Sequence, residues 1–98
     1  MKVTGVIWLR NVIDKLAWKH DVTTDDVEEI FNQFPRYRFM ADGDVAGENV
    51  YAALGRTEAG RYLVVYFIYK PTKEALVVSA REMTPREKNS LLSIRRKK

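Results

Sequence analysis

Gly60-Arg61-Tyr62-Leu63-Val64-Val65-Tyr66-Phe67-Ile68-Tyr69 and, a short turn later, Ala75-Leu76-Val77-Val78-Ser79-Ala80-Arg81 are the two runs from which the fold is read. The first is apolar or aromatic without a break from Tyr62 to Tyr69, and the second from Ala75 to Val78. Side chains of such strands point to both faces of a sheet, and both faces need cover, so the strands belong in the sheet interior. Between them Lys70-Pro71-Thr72-Lys73 carries a proline, which fixes φ and lacks an N–H, as a turn tolerates and a central strand does not. The two runs therefore pair as a hairpin. In a hairpin the start of the first strand lies beside the end of the second, so Arg61 and Arg81 are expected at the same edge of the sheet.

Working upstream, Glu58-Ala59-Gly60 reads as a tight turn and Glu48 to Thr57 as the preceding strand. Ala41 to Gly47 is a polar, glycine-punctuated loop, and Arg36-Tyr37-Arg38-Phe39-Met40 alternates as a further strand. The aspartates of that loop do not complete the calcium-loop pattern of oxygen ligands, so no metal site is expected. Val27, Ile30, Phe31 and Phe34 form the apolar stripe of a helix capped by Thr23 or Thr24 and ended by Pro35. Asp25, Asp26 and Glu28 in its first turn suit the positive helix end, and Thr23 with Asp26 resembles a capping box. Leu9, Val12, Ile13, Leu16 and Ala17 make the stripe of an earlier helix running to about Lys19, which puts Lys15 and Lys19 on one face. Val3 to Trp8 reads as a first strand.

Downstream, Thr84-Pro85-Arg86-Glu87 is a helix start, with Thr84 as cap, Pro85 at the first position and Glu87 completing a capping box. Beyond Leu91, Leu92 and Ile94 this helix offers little apolar surface, so it is expected to lie loosely across the sheet. The fold class expected is α+β: a compact antiparallel sheet of four to five strands, two N-terminal helices and one C-terminal helix. Residues 1–94 are read as one domain and 95–98 as a basic tail.

The 98-residue chain has a globular composition, no cysteine and a net charge of +4. Missing cysteines exclude a disulfide framework and a thiolate nucleophile, and favour a reducing cytoplasm. No apolar run approaches the ~20 residues of a membrane helix, so a soluble, unprocessed protein is expected. Cations gather near Lys15-Lys19-His20, Arg36-Arg38, Arg56-Arg61, Arg81-Arg86-Lys88 and the C-terminus, and acids in 21–29 and 42–48. Segregated positive charge is either ordinary solvated surface or a face for nucleic acid or an acidic partner.

Four stretches carry a family resemblance: Lys19-His20-x-Val22, Glu48 at its strand start, Gly55-x-Thr57-x-x-Gly60-Arg61-x-Leu63-Val64-Val65, and Val78-Ser79-Ala80-Arg81-x-Met83-Thr84-x-x-Glu87. Together they resemble the BrnT-type toxins, small ribonuclease toxins of bacterial toxin–antitoxin pairs, from Ile7 to about Leu92. The resemblance implies a sheet similar to that of the RelE toxins, a metal-independent endoribonuclease that inhibits translation by RNA cleavage, and no cofactor. It further implies a ribbon-helix-helix antitoxin as partner, with a dimer allowed within that complex. Lys19, His20, Glu48, Arg61, Ser79, Arg81 and Glu87 fall on family motif positions. Asn49, Glu74, Leu76 and the Asn89-Ser90-Leu91 stretch depart from the basic or aromatic residues usual there. Those departures motivate an alternative, a non-catalytic module that binds an antitoxin-like protein or nucleic acid.

RNA cleavage without a metal needs a group to take the 2′-hydroxyl proton, a cation for the phosphorane charge and an acid for the leaving 5′-oxygen. Lys19, His20, Glu48, Arg61 and Arg81 are the catalytic candidates; Lys15, Arg56, Ser79, Arg86 and Lys88 are candidates for holding RNA. His20, the only histidine, suits acid–base work, or alternatively caps a helix end. Arg81 offers a fork for phosphate, which a salt bridge to Glu48 or Glu87 does not preclude. Glu48 is read more as an arginine's orienting partner than as a general base. Tyr51, Tyr62, Tyr66 and Tyr69 either stack on bases or fill the core.

Overall fold

The computed structural model describes residues 1–43 and 47–96, the side chains of 94–96 excepted. In chain order it holds β1 (Gly5–Ile7), α1 (Arg10–His20), α2 (Thr24–Asn32), β2 (Arg36–Ala41), β3 (Val50–Arg56), β4 (Tyr62–Tyr69), β5 (Glu74–Glu82) and α3 (Pro85–Arg96). The strands form one sheet in the order β1-β5-β4-β3-β2, so the β4–β5 hairpin lies inside it, as its two-sided apolarity requires. The α+β class holds. Strands β2 to β5 pair antiparallel in succession, whereas β1 runs parallel to β5, which makes the sheet mixed. No tight turn links β1 to β5, so nothing forces an antiparallel pair. The parallel sense lets the chain leave β1 and return as α1 across β5.

One face of the sheet carries the main core. Val12 and Leu16 of α1, Val22, and Val27 and Ile30 of α2 pack on Ala53, Leu63, Val65, Phe67, Ala75, Val77 and Ala80. Burial of each larger side chain contributes about 1.5–3 kcal/mol. Gly55 sits under α2, where an added Cβ would lie 3.3 Å from the Ile30 side chain, which would have to shift by a few tenths of an ångström to admit it. The cap of α2 is the expected one: Asp26 N–H donates to Thr23 Oγ1 and Thr23 N–H to the Asp26 carboxylate, each at 3.1 Å.

The opposite face is thinly covered. Ala52, Leu54 and Val64 form a second, small cluster with Tyr66 and Met83, and α3 crosses it with Leu91 as its buried anchor. This agrees with the loose helix expected there. Lys97 and Lys98 of the basic tail, and Asp44 to Ala46 of the loop weighed for calcium, lie outside the described residues.

Candidate functional site

Which face a strand residue reaches is decided in β5 by an irregularity. Phe67 pairs with Val77 and Tyr66 with Ser79, leaving Val78 unpaired as a bulge. Unbroken alternation from Ala75 and Val77 would send Ser79 and Arg81 to the α1–α2 face. The extra residue shifts the phase, so Ala80 and Glu82 take that face and Ser79 and Arg81 take the α3 face. Arg61 and Arg81 do stand at the same end of the hairpin, but on opposite faces.

Arg81 is the hub of the α3 face. Nη1 and Nη2 donate to the two Glu87 oxygens at 2.7 and 2.8 Å, Nη1 also to the Glu82 carbonyl at 3.1 Å, and Nη2 to the Tyr66 hydroxyl at 2.9 Å. Four of the five guanidinium N–H groups are thereby held, and Nε–H has no partner among the described residues. Glu87 also closes the α3 capping box, accepting from Thr84 N–H at 2.9 Å while its own N–H donates to Thr84 Oγ1 at 3.2 Å. The Arg81 hydrogen bonds hold the Glu87 carboxyl down at about 2, against 4.5 for an ordinary glutamate, and Glu87 in turn pushes the guanidinium further above its usual range. Both stay charged across the physiological range. The Tyr66 oxygen accepts from Arg81, which leaves the phenol proton for another acceptor.

Other cations surround this hub. Arg56 and Lys88 approach the Tyr62 ring from 5.9 and 4.6 Å, and Ser79 stands opposite Tyr66. Arg36 and Arg38 pair with Leu54 and Ala52, which puts them on the same face. A groove of about 170 Å³ between β2 and α3 is lined by Arg36, Arg38, Leu54, Glu87, Ser90 and Leu91, and Arg86 lines the adjoining concavity. A separate concavity of about 250 Å³ between β1 and α2 has Glu28 as its one charged lining residue, so it does not suit an anion.

The candidates of the sequence thus divide. Arg56, Ser79, Arg81, Arg86 and Lys88 come together on the α3 face. Arg61 does not join them: it donates to the carbonyls of Asp21 at 2.6 Å and His20 at 3.5 Å, and pairs with Asp26 and Glu82 at 3.2 and 3.1 Å. It ties the end of α1 to the start of α2. Lys15, Lys19 and His20 belong to α1 and stand on that same far face. Glu48 pairs with Lys70 Nζ at 2.7 Å, at the end of β4 away from Arg61 and Arg81. The expected convergence of Lys19, His20, Glu48, Arg61 and Arg81 on one edge does not occur. The bulge separates the two arginines, and the length of β4, seven steps of ~3.3 Å, separates Glu48 from both.

Tyr51 and Tyr69 pack against the main core, whereas Tyr62 and Tyr66 belong to the α3 face. Sequence reasoning left Arg36 and Arg38 off the site. Their signal was present in the alternation Arg36-Tyr37-Arg38, which sends Tyr37 to the core and both arginines to the other side.

Fold and site define a small basic α+β protein, one sheet face committed to its core and the other offering cations and tyrosines around a fixed arginine. Residues 10–87 match the family described as ribonuclease toxin, BrnT, of type II toxin-antitoxin system, and the chain belongs to that family. Family membership brings an RNA substrate and an antitoxin partner. A search of curated proteins found no match.

Proposed function

We propose that this BrnT toxin is a metal-independent endoribonuclease that inhibits translation by cutting RNA on its α3 face. The observation that carries the reading is the cluster of Arg81, Tyr66 and Glu87, fixed by hydrogen bonds of 2.7–2.9 Å and ringed by Arg56, Ser79, Arg86 and Lys88. In the reaction the 2′-oxygen attacks the adjacent phosphorus and the 5′-oxygen leaves. The 2′-hydroxyl gives up its proton to solvent water, the 5′-oxygen gains one from the Tyr66 hydroxyl, which water then reprotonates, and a cyclic phosphate remains. Arg81 supplies fixed positive charge beside the phosphorane and directs the Tyr66 hydroxyl, whose free proton serves the leaving oxygen. In this reading the fixed charge of Arg81 supplies the phosphate neutralisation that a metal ion would otherwise give. A ribbon-helix-helix antitoxin covering this basic face, a dimer within that complex and a cytoplasmic setting complete the reading. Among the described residues no helix is long and apolar enough to cross a membrane.

A second reading rests on the occupancy of Arg81. With four N–H groups engaged inside the protein, the guanidinium is also what a structural arginine of a non-catalytic binding module would be. Incubation of the purified protein with total RNA in EDTA separates the two. The wild type is expected to cleave, Arg81→Ala to lose about 100-fold or more, as for removal of one preorganised charge donor, and His20→Ala to stay near wild type. Intact RNA with the wild type supports the binding module. Loss in His20→Ala with none in Arg81→Ala moves the chemistry to the α1–α2 face and overturns the assignment.

A further inference from the structure

The geometry points to a second element of the RNA site, resting on the reading above: Arg36 and Arg38 on β2, with Arg86 on α3, form a track that holds the phosphates of a single strand flanking the Arg81 cluster. β2 is the last strand of the sheet and Arg36 and Arg38 are exposed on it. Being two residues apart, they share a face and stand roughly 6.6–6.8 Å apart along the strand. That step is comparable to the separation of neighbouring phosphates on an extended single strand. Among the described residues none of Arg36, Arg38 and Arg86 has a carboxylate within 4.0 Å, whereas Arg61 and Arg81 are both paired. The one carboxylate lining their groove, Glu87, is already taken by Arg81, so these exposed arginines are left to an external anion.

The groove leads somewhere specific. Its lining includes Glu87, the partner of Arg81, and the adjoining concavity shares Arg38, Arg86, Glu87 and Ser90. A strand lying along Arg36 and Arg38 therefore reaches the edge of the cluster proposed to carry the chemistry. Guanidinium forks suit phosphate oxygens bidentately, and the two tyrosines of this face give bases a surface, which is how proteins hold single strands. The rigid spacing along a strand and the neighbouring rings favour nucleic acid over an acidic protein segment.

The test uses a short 2′-O-methyl oligoribonucleotide, which binds without being cut, and fluorescence anisotropy over a salt series. Full-length wild type, Arg36→Gln/Arg38→Gln, and a control of equal charge loss elsewhere, Lys2→Gln/Lys73→Gln, are compared after thermal melts confirm folding. The double arginine variant is expected to bind at least tenfold more weakly than the control. Its salt slope is expected to fall by about 1.4, two single-strand phosphate contacts at ~0.7 each. Binding by wild type with the arginine variant equal to the control overturns the track while leaving the Arg81 reading standing. No binding by wild type overturns both. Loss of binding to a poly-glutamate peptide with unchanged RNA binding assigns the arginines to an acidic protein and also overturns the track.

Discussion

At the scale of single residues, Glu87 carries three bonds with one carboxylate: two from Arg81 and one from the N–H of Thr84, the residue that caps α3. A carboxyl held at about 2 when folded and near 4.5 otherwise adds stability that is complete above pH 4.5 and is lost as pH falls toward 2. With the Glu87 side chain 22% exposed and that of Arg81 33% exposed, solvent screening cuts the contribution to about 1–2 kcal/mol. Glu87→Gln is expected to lower stability by that amount at pH 7, and the gap from wild type to shrink by more than half at pH 3. Urea unfolding at the two pH values measures it, and an equal gap at both would mean the pair contributes nothing through charge. The same substitution frees Arg81, so RNA cleavage by the variant reports whether Glu87 holds the arginine in place or merely occupies it.

At the scale of elements, Arg61 joins what the sequence keeps apart. It leaves the turn before β4, reaches the carbonyls at the end of α1, and pairs with the capping aspartate of α2 and with Glu82 of β5. Its turn is built for this: Gly60 takes φ +95, and Thr57 Oγ1 accepts from Arg61 N–H at 3.1 Å. The Gly-x-Thr-x-x-Gly-Arg motif is thus accounted for by folding. Arg61→Ala is expected to cost about 1–3 kcal/mol, since partly buried acceptors lose a charged donor, while cleavage per folded molecule persists. Urea midpoints together with cleavage rates below the transition separate the effects, and lost cleavage in a stably folded variant would restore Arg61 to the site. Elements of this kind were legible in the sequence because apolar period, caps and turns are local signals: the hairpin, both capping boxes and the antiparallel run of β2 to β5 follow from them. The convergence of the site was not legible. Val78 reads as one more apolar strand residue, and only pairing with β4 shows that it bulges and turns Arg81 to the other face. The parallel β1 was hidden for the same reason, being a long-range pairing with no turn to set its direction.

At the scale of the whole molecule the two faces of the sheet have separate duties, and their unequal packing says which can move. The α1–α2 face buries Val22, Val27, Ile30, Leu63, Val65, Phe67 and Val77 almost completely, while the α3 face has a cluster of three buried residues and the Leu91 anchor. Opening α3 therefore exposes little apolar surface, and what else holds the described part of the helix is polar: the Arg81–Glu87 bonds, the Thr84 cap and Lys88 over Tyr62. An RNA phosphate that competes with Glu87 for Arg81 draws on this weakly packed side without disturbing the main core. Elements with few buried contacts open at a free energy below that of global unfolding. Native-state hydrogen exchange is expected to show the amides of α3 opening independently of urea and well below the free energy of β4, whose residues from Leu63 to Val65 are buried to 1% exposure or less. A short 2′-O-methyl oligoribonucleotide should change the protection of α3 and leave that of β4 unaltered. Protection of α3 equal to that of β4, with the urea dependence of global unfolding, would show that the helix is part of one cooperative unit and that RNA must bind with Arg81 still held by Glu87.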